Sequence, residues 1–376
     1  MKTIKDIELE DKKVLLRVDF NVPIKDGVIL SDNRIRESLQ TIEYLQNKNC
    51  KIILLSHLGK VKSEEDKEKN SLRIVANRLG ELLNQKIMFC PNTRGFLVEE
   101  MIKKLNPREI VLLENTRYED VPDKLESSCD ESLSKYWSTL ADVFVLDAFG
   151  SAHRAHASTY GISKYLPHAI GFLIEKEISV LDEIINEEKN LILGGVKVSD
   201  KIGVISNLMP KCNRILIGGA MCATFLKSMG YEVGQTFVDE ERLDYARKLI
   251  TTDKIVLPID VNTQNGIKDI REMKKDDIIY DIGPNTIELF KKNLNPNTLT
   301  VINGTMGLYE EKEYSTGTDS IFKYLVDNHI KSIVCGGDTG SAAEKYRDGF
   351  YHISTGGGAS LEYLEGKELP ALSIME

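Results

Sequence analysis

Short apolar runs alternate with amphipathic segments along the whole chain, and this alternation constrains the fold more than any other feature. The runs are rich in β-branched residues, as is typical of strands buried on both faces of a parallel sheet. Between them, Ile35–Leu45, Leu72–Leu83, Leu133–Leu140 and Ala223–Met229 carry apolar residues at helical spacing. Repeats of strand, helix and strand predict parallel sheets whose crossover connections are helices.

The predicted strands fall into two sets, one in each half of the chain. The first set is Val14–Val18, Lys51–Leu55, Ile110–Leu113 and Val143–Leu146; the second is Leu191–Leu193, Arg214–Ile217, Ile255–Leu257, Thr300–Ile302, Ser332–Val334 and Tyr351–Ser354. A chain of 376 residues is also longer than one hydrophobic core usually supports. The sequence therefore predicts an α/β protein with two lobes, a boundary near Tyr165–Pro167, and a joining helix from about Gly171 to Asn186. The charge-rich segments Lys62–Asn70 and Glu119–Asp130 lack a core pattern and are predicted to be exposed loops.

Composition and charge exclude several classes of protein. The formal net charge is -9 and the isoelectric point is about 5.4, which argues against general nucleic-acid binding. No run of about 18 apolar residues occurs, and no apolar signal region follows Met1. The six cysteines show neither CxxC spacing nor a paired pattern, which favours reduced thiols. We therefore expect a cytoplasmic protein that binds neither nucleic acid nor membrane.

The stretch from residue 146 to residue 159 combines a strand end with a cluster of basic side chains. The apolar run ends at Asp147, and His153, Arg154 and His156 follow shortly after. Open α/β sheets bind ligands at the carboxyl ends of their strands. Three potential cations at that edge suit a phosphate or a carboxylate. The alternative is a solvated loop in which the histidines bond neighbouring carbonyl groups. From this stretch alone, the two interpretations are equally good.

Other strand ends of the first half carry side chains that complement this cluster. Asp19 and Asn21 lie two residues apart, hence on one face while the chain is extended. Arg34, His57 and Arg117 each lie just past a predicted strand. Singly, such residues are more often surface charges, but a parallel sheet brings its strand ends to one edge. Together they predict a pocket for a small, hydroxylated polyanion.

Four predicted strands of the second half end in glycines, at Gly194-Gly195, Gly218-Gly219, Gly336-Gly337 and Gly356–Gly358. Glycine lets a ligand approach the backbone closely and allows a positive φ. Where a helix follows, its free amides attract anions. Tight turns also use glycine pairs, but four at successive strand ends favour a nucleotide cradle.

Two lysines and a carboxylate accompany these glycines. Lys197 and Lys201 are four residues apart and share one face if their segment opens a helix, so both could reach phosphate oxygens; a solvated helix start with Lys–Asp pairing is the alternative. Asp338 and Thr339 suit Mg²⁺ or its water shell, whereas a plain N-cap is the alternative for Asp338.

A further polar turn, Asn303–Gly307 with Glu310, follows another strand of the second half. No GxxxxGK[ST] motif is present, and no GxGxxG motif opens a βαβ unit. The usual fingerprints of P-loop nucleotide binding and of dinucleotide binding therefore do not apply.

Taken in order, these motifs resemble the phosphoglycerate kinase family over essentially the whole chain. The matching segments are Arg17–Pro23, Ser56–Gly59, Asp147–Thr159, Gly194–Gly203, Asp281–Pro284, Gly336–Thr339 and His352–Ser360. The resemblance implies two Rossmann-like lobes, each a parallel sheet flanked by helices, joined by a helix. The implied domains are residues 1–168 with a returning tail at 360–376, a linking helix at 169–187, and a nucleotide-binding lobe at 188–359.

The resemblance also implies the site residues. It assigns 3-phosphoglycerate or 1,3-bisphosphoglycerate to Asp19, Asn21, Arg34, His57, Lys60, Arg117 and Arg154, with His153 and His156 in the basic patch. It assigns ATP or ADP with Mg²⁺ to Lys197, Lys201, Gly219, Asn303, Glu310, Gly336, Gly337, Asp338 and Thr339, and Asp338 is the carboxylate associated with the metal.

The implied reaction is reversible phosphoryl transfer between 1,3-bisphosphoglycerate with ADP and 3-phosphoglycerate with ATP. The attacking carboxylate is already anionic, so catalysis depends on in-line positioning and on neutralising charge rather than on a general base. Arg34, Lys197, Lys201 and backbone amides around Gly357 take that role. We expect a monomer that closes about a hinge near Glu177 and His352.

Several positions depart from the family pattern. Lys60 stands where the family usually has Arg, and Ile302 and Thr305 stand where it has Trp and Pro. None of these changes removes a principal ligand. Two alternatives are an inactive phosphoglycerate kinase-like binding protein and a nicotinamide-dependent two-lobed enzyme, and the second lacks the dinucleotide fingerprint.

Overall fold

The computed structural model describes residues 1–376, which form two compact units. The first unit comprises Met1–Ser179 with the C-terminal segment Glu368–Glu376, and the second comprises Val180–Lys367. Each unit is built on its own parallel sheet flanked by helices, so the predicted fold class is confirmed. The limits implied by the resemblance for the lobes and the linking helix remain a prediction.

The first unit contains a six-stranded parallel sheet and a separate two-stranded hairpin. Its strands are β1 (Lys13–Val18), β2 (Ile24–Lys25), β3 (Val28–Ile29), β4 (Lys51–Leu55), β5 (Met88–Cys90), β6 (Ile110–Leu113), β7 (Val143–Asp147) and β8 (His168–Ile170). The sheet order is β5-β6-β4-β1-β7-β8, while β2 and β3 form the hairpin. Its helices are α1 (Asn33–Glu37), α2 (Leu39–Asn47), α3 (Glu64–Lys69), α4 (Arg73–Leu83), α5 (Phe96–Lys103) and α6 (Glu131–Ser138).

The central strand β1 explains why the first half of the sequence contains continuous apolar runs instead of alternating apolar and polar residues. Every residue from Val14 to Val18 is buried, because helices cover both faces of a parallel sheet. On one face, Val14 and Leu16 pack in a core with Ile42 and Leu45 of α2. The carboxyl end of β1 thereby emerges beside those of β4 and β7, its two neighbours.

The second unit repeats this plan and adds a small antiparallel sheet. Its strands are β9 (Lys189–Leu193), β10 (Cys212–Ile217), β11 (Ile255–Val256), β12 (Asp260–Thr263), β13 (Gly266–Asp269), β14 (Ile279–Ile282), β15 (Leu299–Asn303), β16 (Ser332–Val334) and β17 (His352–Ile353). The parallel sheet has the order β11-β10-β9-β15-β16-β17, and the antiparallel sheet has the order β13-β12-β14.

Helices connect these strands and close the chain. Helix α7 (Phe172–Asn186) begins in the first unit and ends in the second. The following helices are α8 (Ile202–Leu208), α9 (Cys222–Ser228), α10 (Leu243–Leu249), α11 (Pro284–Asn293), α12 (Thr316–Asp327), α13 (Gly337–Ala343) and α14 (Gly358–Leu364), and α15 (Pro370–Ser373) lies in the C-terminal segment of the first unit. None of these helices has the length and apolar character needed to cross a membrane.

All ten predicted strands form, but several short elements were not predicted. Strands β5 and β8, the β2–β3 hairpin and the antiparallel sheet contain only two to four residues per strand. Strands this short give no clear periodicity, and β12 and β13 also carry polar residues such as Asp260 and Lys268.

Two predictions of secondary structure were wrong. The predicted helix Ile35–Leu45 is two helices separated at Ser38, whose hydroxyl donates to the carbonyl oxygen of Ile35 at 2.7 Å. Bonds of this kind compete with helix continuation. The segment Lys62–Asn70 contains helix α3 instead of a loop, and the Asp66 carboxylate accepts a hydrogen bond from the Ser63 amide at 3.1 Å in a capping box.

Candidate active site

The first unit contains a cavity of about 340 Å³ at the carboxyl ends of its parallel strands. Seven of the nine residues predicted to bind the substrate line it: Asn21, His57, Lys60, Arg117, His153, Arg154 and His156, together with Gly59, Gly150 and Ser151. The other two, Asp19 and Arg34, form an ion pair with each other. The tertiary structure thus gathers residues from the ends of β1, β4, β6 and β7.

Hydrogen bonds between loops fix the positions of these strand ends. The Asn21 side-chain oxygen accepts a bond from the Gly59 amide at 2.8 Å, which joins the loops after β1 and β4. The fully buried Asn115 side chain bonds both backbone groups of Leu58, at 3.2 Å from the amide and 2.7 Å to the carbonyl oxygen. Because Asn115 follows β6, three loops are held together without a ligand.

Asp19 is an ionised carboxylate at the edge of this group. Burial alone would raise the pKa of Asp19, but the ion pair with Arg34 and the nearby His57 and Arg17 lower it overall. The Asn21 amide also donates to the Asp19 carboxylate at 3.3 Å. Asp19 can therefore accept a hydrogen bond from a hydroxyl group.

His57 and His156 supply less positive charge than their positions in the sequence indicate. Burial, together with nearby arginines, lowers the pKa of His57 to about 3. The pKa of His156 is also lowered to about 3 by burial and by Arg117 and Arg17. With pKa values this low, both rings favour the neutral form at pH 7, whereas the sequence indicated a potential cation at His156. Arg117, Arg154 and Lys60 carry the charge of the cavity.

A buried ionic network beneath the cavity was missed by the sequence analysis. Arg17 is 1% exposed, and its guanidinium donates to Ser158 Oγ at 2.9 Å and lies 3.2 Å from His57 Nδ1. The Ser158 amide donates to the Glu126 carboxylate at 2.9 Å. Burial lowers the pKa of Arg17 and raises that of Glu126, while their mutual attraction opposes both shifts.

Glu126 also corrects the prediction that Glu119–Asp130 is an exposed loop. Its side chain is fully buried, and Glu119 and Asp120 are buried as well. The available signal was Arg17 itself, a charged residue inside a buried apolar run, which requires a buried partner.

In the second unit, the predicted nucleotide residues form a connected group after β9, β15 and β16. The Lys201 ammonium donates to the Asn303 side-chain oxygen, and the Asn303 side-chain nitrogen donates to the Cys335 carbonyl oxygen at 3.2 Å. The Gly304 amide donates to the Thr339 hydroxyl oxygen at 2.8 Å. Burial lowers the pKa of Lys201, and nearby carboxylates including Asp338 oppose that shift.

The glycines around this group divide into two kinds. A Cβ on Gly194 would lie 2.0 Å from the Thr305 carbonyl oxygen, and one on Gly219 would lie 2.6 Å from the Gly195 nitrogen, so these glycines allow turns to pack together. Gly195, with φ +98°, and Gly357, with φ +53°, have open space where a Cβ would lie. Their backbone can therefore be approached by a ligand.

The two lysines are placed differently from the prediction. Helix α8 begins only at Ile202 and Lys201 is its N-cap, so Lys197 and Lys201 do not share a helical face. Lys197 is exposed in the loop that follows Gly195.

The remaining residues predicted for the nucleotide site lie at the start of α13 and on the turn after β15. Gly336 is the N-cap of α13 and Asp338 lies exposed in the first turn, so the plain N-cap alternative for Asp338 is wrong. Gly337 is the first residue of that helix and is exposed. Glu310 is exposed on the turn after β15. No cluster of three or more His, Cys, Asp or Glu side chains is arranged to hold a metal ion by itself.

Comparisons with known proteins identify the family and the related structures. A sequence model of the phosphoglycerate kinase family matches residues 4–367. The phosphoglycerate kinase of Macrococcus caseolyticus is 49% identical over 387 residues, covering 99% of this chain and 98% of its own, and that of Enterococcus faecalis is 48% identical over 389 residues with the same coverage. The structure of phosphoglycerate kinase from Pyrococcus horikoshii superimposes with a TM-score of 0.87 at 33% identity, covering 100% of this chain and 98% of its own. The one from Coxiella burnetii gives 0.85 at 33% identity, covering 99% and 98%.

Proposed function

This chain belongs to the phosphoglycerate kinase family, and on that basis we propose which of its residues carry out the family's reaction. The enzyme catalyses reversible phosphoryl transfer in glycolysis, between 1,3-bisphosphoglycerate with ADP and 3-phosphoglycerate with ATP. The observation that carries the residue assignment is the 340 Å³ cavity, which gathers polar and cationic side chains from four strand ends.

In the proposed substrate site, Arg117, Arg154 and Lys60 neutralise the phosphate of 3-phosphoglycerate. Asp19 and Asn21 accept hydrogen bonds from its hydroxyl group. The neutral rings of His57 and His156 act as hydrogen-bonding groups rather than as charges, which their lowered pKa values support. His153 contributes a polar ring to the same cavity. Lys60 contributes a point charge in place of a bidentate donor.

In the proposed nucleotide site, Lys197 and Lys201 neutralise the phosphates of ATP or ADP. Gly336 and Gly337 allow close approach of the nucleotide, while Gly219 allows its turn to pack against the loop after β9 beside the nucleotide. Asn303, Thr339 and Glu310 supply polar contacts. Asp338 fits Mg²⁺, because an exposed carboxylate in the first turn of a helix can share the ion with nucleotide phosphates, and Mg²⁺ usually takes only one or two protein carboxylates. The ion, when bound with the nucleotide, supplies charge neutralisation at the phosphates.

For the transfer itself, Arg34, Lys197 and Lys201 stabilise the charge of the phosphoryl group, and amides around Gly357 assist. The carboxylate of 3-phosphoglycerate needs no general base, so positioning and electrostatics are sufficient. Preorganised donors of this kind commonly contribute about 3 kcal/mol each. The ion pair with Asp19 fixes the position of the Arg34 guanidinium.

The two proposed half-sites belong to different units, so transfer requires them to meet. We assign the hinge to α7 around Glu177 and to the return near His352. The family relationship also supports a monomer that acts in the cytoplasm, and the net charge of -9 supports the absence of nucleic-acid partners. Size-exclusion chromatography with light scattering tests the monomer.

The function is tested by following ADP production from ATP in the presence of 3-phosphoglycerate with a coupled assay. We expect turnover that depends on both substrates and on Mg²⁺. Binding of both ligands without turnover would identify the inactive binding protein instead. An activity that depends on a nicotinamide would identify the third alternative.

A further inference from the structure

A row of polar side chains crosses the parallel sheet of the second unit near the amino ends of its strands. The strand register places Arg214, Asn190, Thr300 and Ser332 side by side on β10, β9, β15 and β16. Two residues further along the same strands, on the same face, Leu216, Ile192, Ile302 and Val334 belong to the apolar core. The polar row therefore replaces the core at one end of the sheet.

Two members of this row lack hydrogen-bond partners within the protein. Asn190 is 1% exposed and Thr300 is fully buried. Neither the Asn190 side-chain nitrogen nor the Thr300 hydroxyl has a protein partner. Burial of such groups without a partner is costly. An acceptor from outside the chain would satisfy the Asn190 side-chain nitrogen, because Asn190 lines a cavity and an amide nitrogen donates hydrogen bonds.

A cavity of about 810 Å³ opens at Asn190, and its charges are unusual for this acidic chain. Four cationic side chains line it against two carboxylates, Glu188 and Asp253; the cations are Lys211, Arg214, Lys254 and Lys292. Positive charge is thus gathered locally in a chain whose net charge is -9.

Hydrogen bonds to backbone carbonyl groups use only some of the donors on these cationic side chains. Lys211 donates to the Asn186 carbonyl oxygen at 2.8 Å, and Lys254 donates to the Met209 carbonyl oxygen at 3.0 Å. An ammonium group has three donors and a guanidinium has five. Each of these side chains therefore keeps donors that a bound anion can use.

We propose that this cavity is a second anion site, which binds a small phosphate-bearing anion at the opposite end of the strands from the nucleotide site. Asn190 precedes Gly194 by four residues, which is about 13 Å along a strand. A phosphoryl group presents several oxygens in a tetrahedral arrangement, so it can accept hydrogen bonds from the Asn190 amide and from neighbouring cations at once.

The test is a calorimetric titration of pyrophosphate into the full chain. The buffer is free of metal, and saturating ADP with 3-phosphoglycerate fills the catalytic site. We expect saturable binding, and the double substitution Arg214→Gln with Lys292→Gln should weaken it at least tenfold while leaving turnover unchanged. Lys323→Gln is the matched control, because Lys323 is an exposed lysine of α12 outside the cavity, and it should bind pyrophosphate as the unaltered chain does.

Asn190→Leu tests the polar row separately, since leucine is close to asparagine in size and removes the unpartnered amide donor that lines the cavity. We expect weaker pyrophosphate binding with the thermal unfolding temperature retained or raised. No saturable binding to the unaltered chain, or equal binding by the double variant, would overturn the site. Equal binding of succinate would overturn the assignment to phosphate, and unchanged pyrophosphate binding by Asn190→Leu would remove the role of the row.

Discussion

The Arg17 guanidinium donates a hydrogen bond of 2.9 Å to Ser158 Oγ, joining β1 to a segment 141 residues later in the chain. Ser158 in turn bonds the buried carboxylate of Glu126. The cavity of the first unit, whose wall includes His57 and His156, therefore rests on a buried ionic network. The stability of that network can be measured independently of activity.

Arg17→Met should lower the free energy of unfolding by about 3–5 kcal/mol, because it leaves Glu126 buried without its cation. Urea unfolding followed by circular dichroism measures the change. Adding Glu126→Gln to Arg17→Met should recover part of the loss. Lys25→Met, at an exposed position of β2, is the control. A loss below about 1 kcal/mol for Arg17→Met would show that the pair is not the main support.

Arg34→Ala should lower turnover at least tenfold, which corresponds to about 1.4 kcal/mol, because Arg34 acts on charge that develops during transfer. The coupled assay measures turnover, and circular dichroism checks that the chain is folded. Arg36→Ala is a matched control on the same helix, since Arg36 is exposed and pairs with Asp32 at 2.9 Å. Equal turnover in the two variants would remove Arg34 from the catalytic role.

Lys197→Ala should weaken nucleotide binding and lower turnover together, because its ammonium is assigned to the phosphates. Lys201→Ala should do the same and should also remove the bond to Asn303. Calorimetry with ADP measures the affinity. Lys227→Ala, an exposed lysine of α9 that pairs with Glu240, should leave it unchanged. Normal ADP affinity in Lys197→Ala would place the phosphate site elsewhere.

The buried His156 should make stability depend on pH. Its pKa is lowered to about 3 in the folded chain, so the unfolded chain binds more protons between that value and the ordinary 6.5. This contribution to stability is complete above pH 6.5 and is lost as the pH falls towards 3, at up to about 1.4 kcal/mol per pH unit.

His156→Gln should therefore make the decline of unfolding free energy between pH 6.5 and pH 4 shallower. Urea unfolding at a series of pH values measures the slope. The control is His329→Asn, at an exposed turn with φ +53° that asparagine tolerates. Parallel pH profiles for His156→Gln and the unaltered chain would contradict the prediction.

Glu177→Gln should lower turnover while leaving the separate affinities for ADP and 3-phosphoglycerate nearly intact. Glu177 is fully buried in α7, the helix that continues from one unit into the other, and is assigned to the hinge rather than to a ligand. Comparing turnover with the two calorimetric affinities separates these effects. Unchanged turnover would end the hinge assignment.

The sequence by itself determined the alternation of strands and helices, and with it the two parallel sheets. It also located the polar residues at strand ends, because parallel strands must end at one edge. Asn21, His57 and Arg117 could therefore be predicted to meet even though they are distant in sequence. The glycines after β9, β10 and β16 could also be located from the sequence, because each follows a predicted strand.

Only the tertiary structure decided the electrostatic state of these side chains. Whether His156 is a cation depends on its burial among Arg117 and Arg17, and neither fact is local in sequence. The same holds for Glu126. In the sequence it belongs to a charged segment that resembles a loop, and only the fold places it beside Arg17 of β1. Strand periodicity is a property of neighbouring residues, whereas desolvation and charge pairing depend on what the fold brings together from far along the chain.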